Sequence, residues 1–524
     1  MQQGAAEKQP AQTSESTLRN SDPRPPQSRG RERLKTGTPG LDSILNGGLP
    51  KGHLYLVEGD PGTGKTTLAI QFLLEGIRSG EKVLYVTLSE SKDELEQVAQ
   101  SHGWPLDSLL IYEMVPTDDE LSPEAQYTVF HPSDVEFADT ITAILKQVDA
   151  IQPQRVVFDS LSELRMLARD SLKYRRQILA LKHYFAGRNS TVLLLDDRTA
   201  EGHDLQLQSI AHGVFMMHSF ERDFGIKRRR IEVRKLRGLA FREGFHDYTI
   251  QTGGIEVYPR LIASEHKTGL EQRCVPSGLS GLDDLLRGGI DSGTSTLLIG
   301  PAGCGKSTVA LRYATSAARR GEKAVIFTFD EARSSLITRG VNLGMDPVPL
   351  IENGSLEVQQ IDPAELSPGE FVSRVRRLVD EQGMRLVVLD SVSGFLHAMP
   401  HEQFLAMQLH ELLSYLGQQQ VVSILTLVQH GFVGSNVQSP IDVSYLADTV
   451  ILFRYFEAAG QVRQAISVVK KRSGPHERTI RELVFSDGAI HVGSALSEFE
   501  GVLSGAPRYI GSSSSLETEP APGK

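Results

Sequence analysis

The chain has 524 residues, a formal net charge of −10, 40% hydrophobic residues and two cysteines. That acidic balance argues against nucleic-acid binding by the surface at large, and Cys274 and Cys304 alone make neither a disulfide framework nor a metal site. The N-terminus lacks the apolar core of a signal peptide and no run approaches the roughly 18 apolar residues of a membrane span, so a cytoplasmic protein without membrane insertion is expected.

Taken in chain order, residues 1–33 are rich in Gln, Ser, Pro and charge and are predicted to be disordered, because they cannot bury enough surface to offset ordering entropy. A first domain is predicted over 34–260. It opens with Thr36-Gly37-Thr38-Pro39-Gly40-Leu41-Asp42, and an apolar strand over 53–58 then runs into Gly59-Asp60-Pro61-Gly62-Thr63-Gly64-Lys65-Thr66. This fits G-x-x-x-x-G-K-[ST]. The glycines let backbone N–H groups turn toward phosphate oxygens, the lysine reaches the β- and γ-phosphates, and the hydroxyl binds Mg²⁺. Thr67 continues the binding segment into a helix over 66–77.

A second strand over 83–88 ends in Ser89-Glu90, where one carboxylate can polarise a water. A solvated acidic turn is the alternative. A third strand over 156–158 ends in Asp159, placed to hold Mg²⁺ through its water shell. A fourth follows over 191–195, and Arg234-Lys235-Leu236-Arg237 closes the domain. These basic residues lie far from the loop in sequence and suit a finger reaching a neighbouring subunit's ATP, with a solvated basic strand as the alternative. Tyr174-Arg175-Arg176, on a predicted helix, reads as an interface or surface stripe.

A polar linker is predicted over 261–272 and a second domain over 273–508. The second domain repeats the first. It opens with Ser277-Gly278-Leu279-Ser280-Gly281-Leu282-Asp283, and a strand over 295–299 leads into Gly300-Pro301-Ala302-Gly303-Cys304-Gly305-Lys306-Ser307, followed by Thr308. Strands over 324–329, 386–389 and 421–427 come next; the first two carry Asp330-Glu331 and Asp390 at their ends. Lys470-Lys471-Arg472 matches the basic close of the first domain, and a disordered tail is predicted over 509–524. Lys65 and Lys306 stand as far apart as Glu90 and Glu331, so the core order is duplicated. Strands alternating with helices predict an α/β fold, each half a mostly parallel sheet flanked by helices. Cys304 reads as a small residue fitted to a tight loop; a redox-sensitive thiol of lowered pKa beside Lys306 is the alternative.

Together these residues resemble the KaiC family of RecA-like ATPases, from about Leu34 to about Leu503. The resemblance covers both Gly-Leu-Asp entries, both glycine loops, both acidic strand ends and Lys235-Leu236-Arg237-Gly238. It also covers Ile480-Arg481-Glu482-Leu483 and Phe499-Glu500. It implies tandem RecA-like P-loop domains in a homohexameric double ring with ATP and Mg²⁺ between subunits. The first lobe would be a slow ATPase. The second would be an autokinase and autophosphatase acting on adjacent Ser and Thr residues of the neighbouring subunit. By position, Lys65, Thr66, Glu90 and Asp159 would serve the first site, and Lys306, Ser307, Asp330, Glu331 and Asp390 the second. Lys235, Arg237, Lys470 and Arg472 would act in trans.

The chain departs from the family pattern in several places. Ser89 replaces the first of two glutamates, and Asp330 is shorter by one methylene than the usual residue. The acceptor pair aligns with Ser444-Tyr445, leaving Ser444 as the candidate phosphoacceptor. The tail after Arg508 is Ser-rich and unlike the one that engages a regulatory partner in the cyanobacterial clock, so regulatory partners are expected but not identified. Two other readings compete. One is a DNA-directed RecA/DnaB-type motor using Lys227-Arg228-Arg229-Arg230, which the acidic balance disfavours. The other is a nucleotide-gated scaffold without kinase chemistry.

Overall fold

The computed structural model describes residues 32–114, 132–168, 170–198, 205–221, 225–266, 273–397, 405–429, 445–486, 488–503 and 507–511. Two lobes each carry a nine-stranded sheet. In the first, the strands are β1 (Leu54–Gly59), β2 (Val83–Thr87), β3 (Leu110–Glu113), β4 (Arg155–Asp159), β5 (Thr191–Asp197), β6 (Gly213–Phe220), β7 (Arg228–Leu236), β8 (Phe245–Gln251) and β9 (Gly254–Tyr258). Their spatial order is β3-β2-β4-β5-β1-β6-β7-β8-β9. The pairings from β3 through β6 are parallel and those from β6 to β9 antiparallel.

The second lobe repeats this order with β10 (Ser295–Gly300), β11 (Ala324–Thr328), β12 (Leu356–Gln360), β13 (Leu386–Asp390), β14 (Val422–Val428), β15 (Thr449–Ala458), β16 (Gln461–Lys471), β17 (Arg481–Ser486) and β18 (Ala489–Ala495). The α/β architecture with mostly parallel sheets is therefore present twice. The antiparallel extension in each lobe is additional to it. The basic segment at the close of the first half is β7 of that extension.

The central strands are near-continuous apolar runs because both of their faces are covered. Tyr55 and Val57 of β1 face one core and Leu54 and Leu56 the other. Helix α1 (Lys65–Arg78) and its counterpart α2 (Lys306–Arg319) each start directly from a glycine in left-handed conformation, Gly64 at φ 94° and Gly305 at φ 100°. A Cβ on Gly64 would lie 2.6 Å from Ile250 Cδ1, and one on Gly305 would lie 2.6 Å from Phe485 Cζ, so both the turn and the packing require glycine. Leu261 and Ala263, read from the sequence as linker, are buried in the second lobe's core. Tyr509, read as tail, pairs with Phe499 in a short two-stranded ladder.

The lobes meet along a polar seam. Arg228 Nη2 donates to Pro363 O at 3.0 Å, and Ile226 N donates to Ala364 O at 3.3 Å. Asp247 on β8 accepts from Arg230 Nε at 3.0 Å and from Gly369 N at 2.8 Å, so it caps helix α3 (Pro368–Asp380) of the other lobe together with Ser367. Arg228 of the basic run 227–230 is thus drawn into the seam and Arg230 holds the aspartate that caps across it, which leaves these two less available to a DNA backbone. Asp247→Ala is expected to lower stability by about 1–2 kcal/mol, the usual cost of a lost cap. Urea unfolding measures this, and a variant within error of wild type would refute the cross-lobe cap.

Candidate functional site

Parallel α/β sheets bind ligands beyond the carboxyl ends of their strands. Here that edge gathers the loops after β1 and β10, the ends of β4 and β13, and the turns after β2 and β11. In the first loop Gly62 has φ 79° and only open space where a Cβ would stand. Lys65 is buried and its Nζ donates to Gly59 O at 2.9 Å and Asp60 O at 3.1 Å, and pairs with Asp197 Oδ1 at 2.6 Å. Thr63 Oγ1 donates to Asp60 O at 2.8 Å, and Tyr248 OH on β8 donates to Thr63 O at 2.6 Å, bracing the loop from the antiparallel extension. In the second loop Lys306 Nζ donates to Gly300 O at 2.9 Å and Pro301 O at 2.5 Å. A cleft of about 670 Å³ lies beside it, lined by Gly303, Gly305, Thr308, Arg339 and Phe485 among others.

Each loop hydroxyl meets its strand-end aspartate. Thr66 Oγ1 donates to Asp159 Oδ2 at 3.0 Å, and Ser307 Oγ to Asp390 Oδ1 at 2.9 Å. A third residue aims each aspartate: Tyr85 OH at 2.5 Å in the first lobe and Thr426 Oγ1 at 2.5 Å in the second. Burial pushes the Asp159 carboxyl above its ordinary range, against the hydrogen bonds from Tyr85 and Thr66 and the charge of Lys65. One hydroxyl and one carboxylate fit a hard cation that keeps several waters and takes further oxygens from phosphates. No cluster of three or more His, Cys, Asp or Glu residues suited to a metal occurs among the described residues. The peptide bonds Asp159–Ser160 and Asp390–Ser391 are both cis.

The acidic turns differ between lobes. Thr87 Oγ1 donates to Glu90 O at 2.6 Å and accepts from Glu90 N, and the capping box of Ser91 and Glu94 fixes the helix that starts just after it. Glu90 Oε2 is buried and has no hydrogen-bond partner. Burial, then the carboxylates of Asp159, Glu94 and Asp197, push its carboxyl up to about 7, against Lys65. In the second lobe Thr328 repeats the backbone tie to Glu331. There the Glu331 carboxylate is ion-paired with Arg339 at 2.6 Å, and Asp330 accepts from Ser391 Oγ at 2.6 Å.

The basic residues predicted as fingers lie at the other end of the sheets. Lys235 sits opposite Val214, which pairs with Leu56, three residues before Gly59. Its Nζ donates to Gln208 O at 2.6 Å and Ala211 O at 2.8 Å, and Arg237 Nη2 donates to Ser209 O at 2.5 Å. Lys470 Nζ donates to Ala447 O at 2.7 Å, and Arg472 pairs with Asp448 at 3.6 Å. With about 3.3 Å of strand per residue, these four stand roughly 10 Å of strand or more behind their own glycine loops. Ser444 lies outside the described residues.

One alternative falls and one sequence reading is corrected. The Cys304 thiol is buried, donates to Pro301 O at 2.9 Å and is pushed up by that burial, so the redox alternative falls. Tyr174 is a core residue beneath Arg165 rather than part of a surface stripe. Sequence reasoning missed Tyr85, Thr426, Tyr248 and Asp197. Only Asp197, the second of two acids closing a strand, left a signal that could have been read.

Comparison with known proteins agrees with this geometry. A family model described as "ATPase: KaiC" matches residues 34–262 and again 275–497. A "Circadian clock oscillator protein KaiC" from a Picosynechococcus strain is 28% identical over 92% of this chain and 93% of the relative. The protein of that name from Synechococcus elongatus is 27% identical over 91% and 92%. A "Circadian clock protein KaiC3" from a Synechocystis strain is 26% identical over 92% and 96%.

Proposed function

The chain belongs to the KaiC family of ATPases, and we propose that each lobe takes one ATP with Mg²⁺, the first hydrolysing it and the second transferring its γ-phosphoryl group to Ser444. The observation that carries this reading is the pairing of loop hydroxyl with strand-end aspartate in both lobes, Thr66 with Asp159 and Ser307 with Asp390. Those four residues would hold the metal, whose chemistry when bound is to neutralise charge on the phosphate oxygens. Lys65 and Lys306 bind and orient the triphosphate from loops whose N–H groups face it.

In the first lobe Glu90 accepts a proton from the attacking water. The water oxygen bonds to Pγ, the bond from Pγ to the β-bridging oxygen breaks, and ADP leaves. Glu90 suits this because its carboxyl titrates near neutrality and its inner oxygen is unpaired. In the second lobe Ser444 Oγ bonds to Pγ, the bond from Pγ to the β-bridging oxygen breaks, ADP leaves, and the hydroxyl proton passes to Asp330 or Glu331. Glu331 must first leave Arg339 to do so. Lys235, Arg237, Lys470 and Arg472 act on the ATP of a neighbouring copy, since each stands behind its own loop. A cytoplasmic homohexameric ring that signals its nucleotide state to regulatory proteins follows from the family resemblance.

Titration with labelled ATP and Mg²⁺ is expected to saturate at two equivalents per chain. Saturation at zero would end the proposal. The general base also fixes a pH response. Glu90 must be ionised to take a proton, so kcat/KM for the first lobe rises as pH rises through about 7. A Lys306→Ala background isolates that lobe, and a profile flat from about pH 5.5 to 8.5 would exclude Glu90 as base. Its folded value lies above the ordinary 4.5, so this group's contribution to stability is lost as pH rises between 4.5 and about 7.

A further inference from the structure

We propose that Asp197 is a specificity-determining residue that sets the first site against ATP relative to ADP by holding Lys65 in an ion pair. The inference rests on the reading of Lys65 as a phosphate-binding residue. Asp197 is the last residue of β5 and lies directly beside Gly59 in the parallel register. Its Oδ1 stands 2.6 Å from Lys65 Nζ, whose other donors go to Gly59 O and Asp60 O. All three N–H groups of the ammonium are therefore engaged, one of them by a full negative charge.

The second lobe lacks this arrangement. The residue beside Gly300 in the same register is Val428. Lys306 has two loop carbonyls as partners and a weak contact to Cys304 Sγ at 3.7 Å. No carboxylate lies within ion-pair distance of it among the described residues. Two loops of matching motif thus differ in what the lysine must give up when a ligand arrives.

A triphosphate needs the lysine between its β- and γ-phosphates. In the first lobe the γ-phosphate has to displace Asp197 from Lys65 and then sit near its carboxylate. A diphosphate fills the cradle without a γ group, so the pair between Lys65 and Asp197 persists. The cost therefore falls on ATP selectively, and Val428 imposes no such cost in the second lobe.

The test is an equilibrium titration of the full-length Lys306→Ala protein with a β,γ-methylene ATP analogue and with ADP, both with Mg²⁺. Asp197→Asn is expected to tighten the triphosphate by about tenfold and to change ADP by less than about threefold. The reciprocal transplant, Val428→Asp in a Lys65→Ala background, is expected to weaken the triphosphate at the second site by about tenfold while sparing ADP. A merely structural role would move both nucleotides alike. Equal shifts, or none, in a parent that binds both nucleotides overturn the role of Asp197. A parent that binds neither overturns the phosphate-binding reading itself.

Discussion

Glu90→Gln is expected to cut first-lobe ATP turnover by about two to four orders of magnitude, the usual worth of a positioned general base, while the chain still binds two nucleotides. The amide has the same shape but cannot accept the proton that leaves the attacking water. Nothing else in the turn needs to change, because Thr87 holds Glu90 through its backbone N–H and C=O rather than through its carboxyl. The side chain is also free of the constraint that binds its counterpart, for Glu331 is paired with Arg339. Ser89, which stands where the family pattern has the first of two glutamates, supplies no substitute base. Phosphate release measured in the Lys306→Ala background reads this lobe alone. A turnover within about threefold of the parent would show that the proton goes elsewhere, and Asp197 or bulk solvent would become the acceptor to examine.

The parts of the site that could be read in the chain are those built from contiguous residues. Lys65 and Thr66 lie within one loop motif, and Asp159 announces itself by ending an apolar strand. Glu90 is identified by standing at the same offset as Glu331. The parts that could not be read depend on which strands lie side by side. Tyr85 and Thr426 perform one task, aiming the metal-site aspartate, yet they come from different strands of their lobes, β2 and β14, on opposite sides of the aspartate strand. No alignment of the two halves could have equated them. Tyr248 braces the first loop across 185 positions of sequence. The basic run 227–230 misleads for the same reason. Its charges look available in one dimension, but Arg228 and Arg230 are engaged by a lobe seam that only the folded chain creates. Burial likewise rules against the redox alternative for Cys304, since desolvation of the thiolate outweighs the neighbouring ammonium.

Lys306→Ala is expected to abolish transfer of label from γ-phosphate-labelled ATP to the protein, a loss of at least about a hundredfold, and Ser444→Ala is expected to do the same. Lys306 is the strongest positive charge built into the second loop. Burial pushes its ammonium down from the ordinary value, against the opposing influence of Cys304 and Asp390, so a bound phosphate relieves a desolvated cation rather than competing with solvent. Alanine also removes one of the two donors to each of the Gly300 and Pro301 carbonyls, which keep only Gln429 N and Cys304 Sγ, and so loosens the loop itself. The two variants therefore fail for different reasons, and stoichiometry separates them. Ser444→Ala retains two bound nucleotides per chain by native mass measurement, whereas Lys306→Ala retains one. Label persisting in Lys306→Ala would move phosphoryl transfer to the first lobe. Label persisting in Ser444→Ala would move the acceptor, and phosphosite mapping would locate it. Wild type that takes up no label, yet releases phosphate, would leave an ATPase in which the second lobe binds nucleotide only to report it.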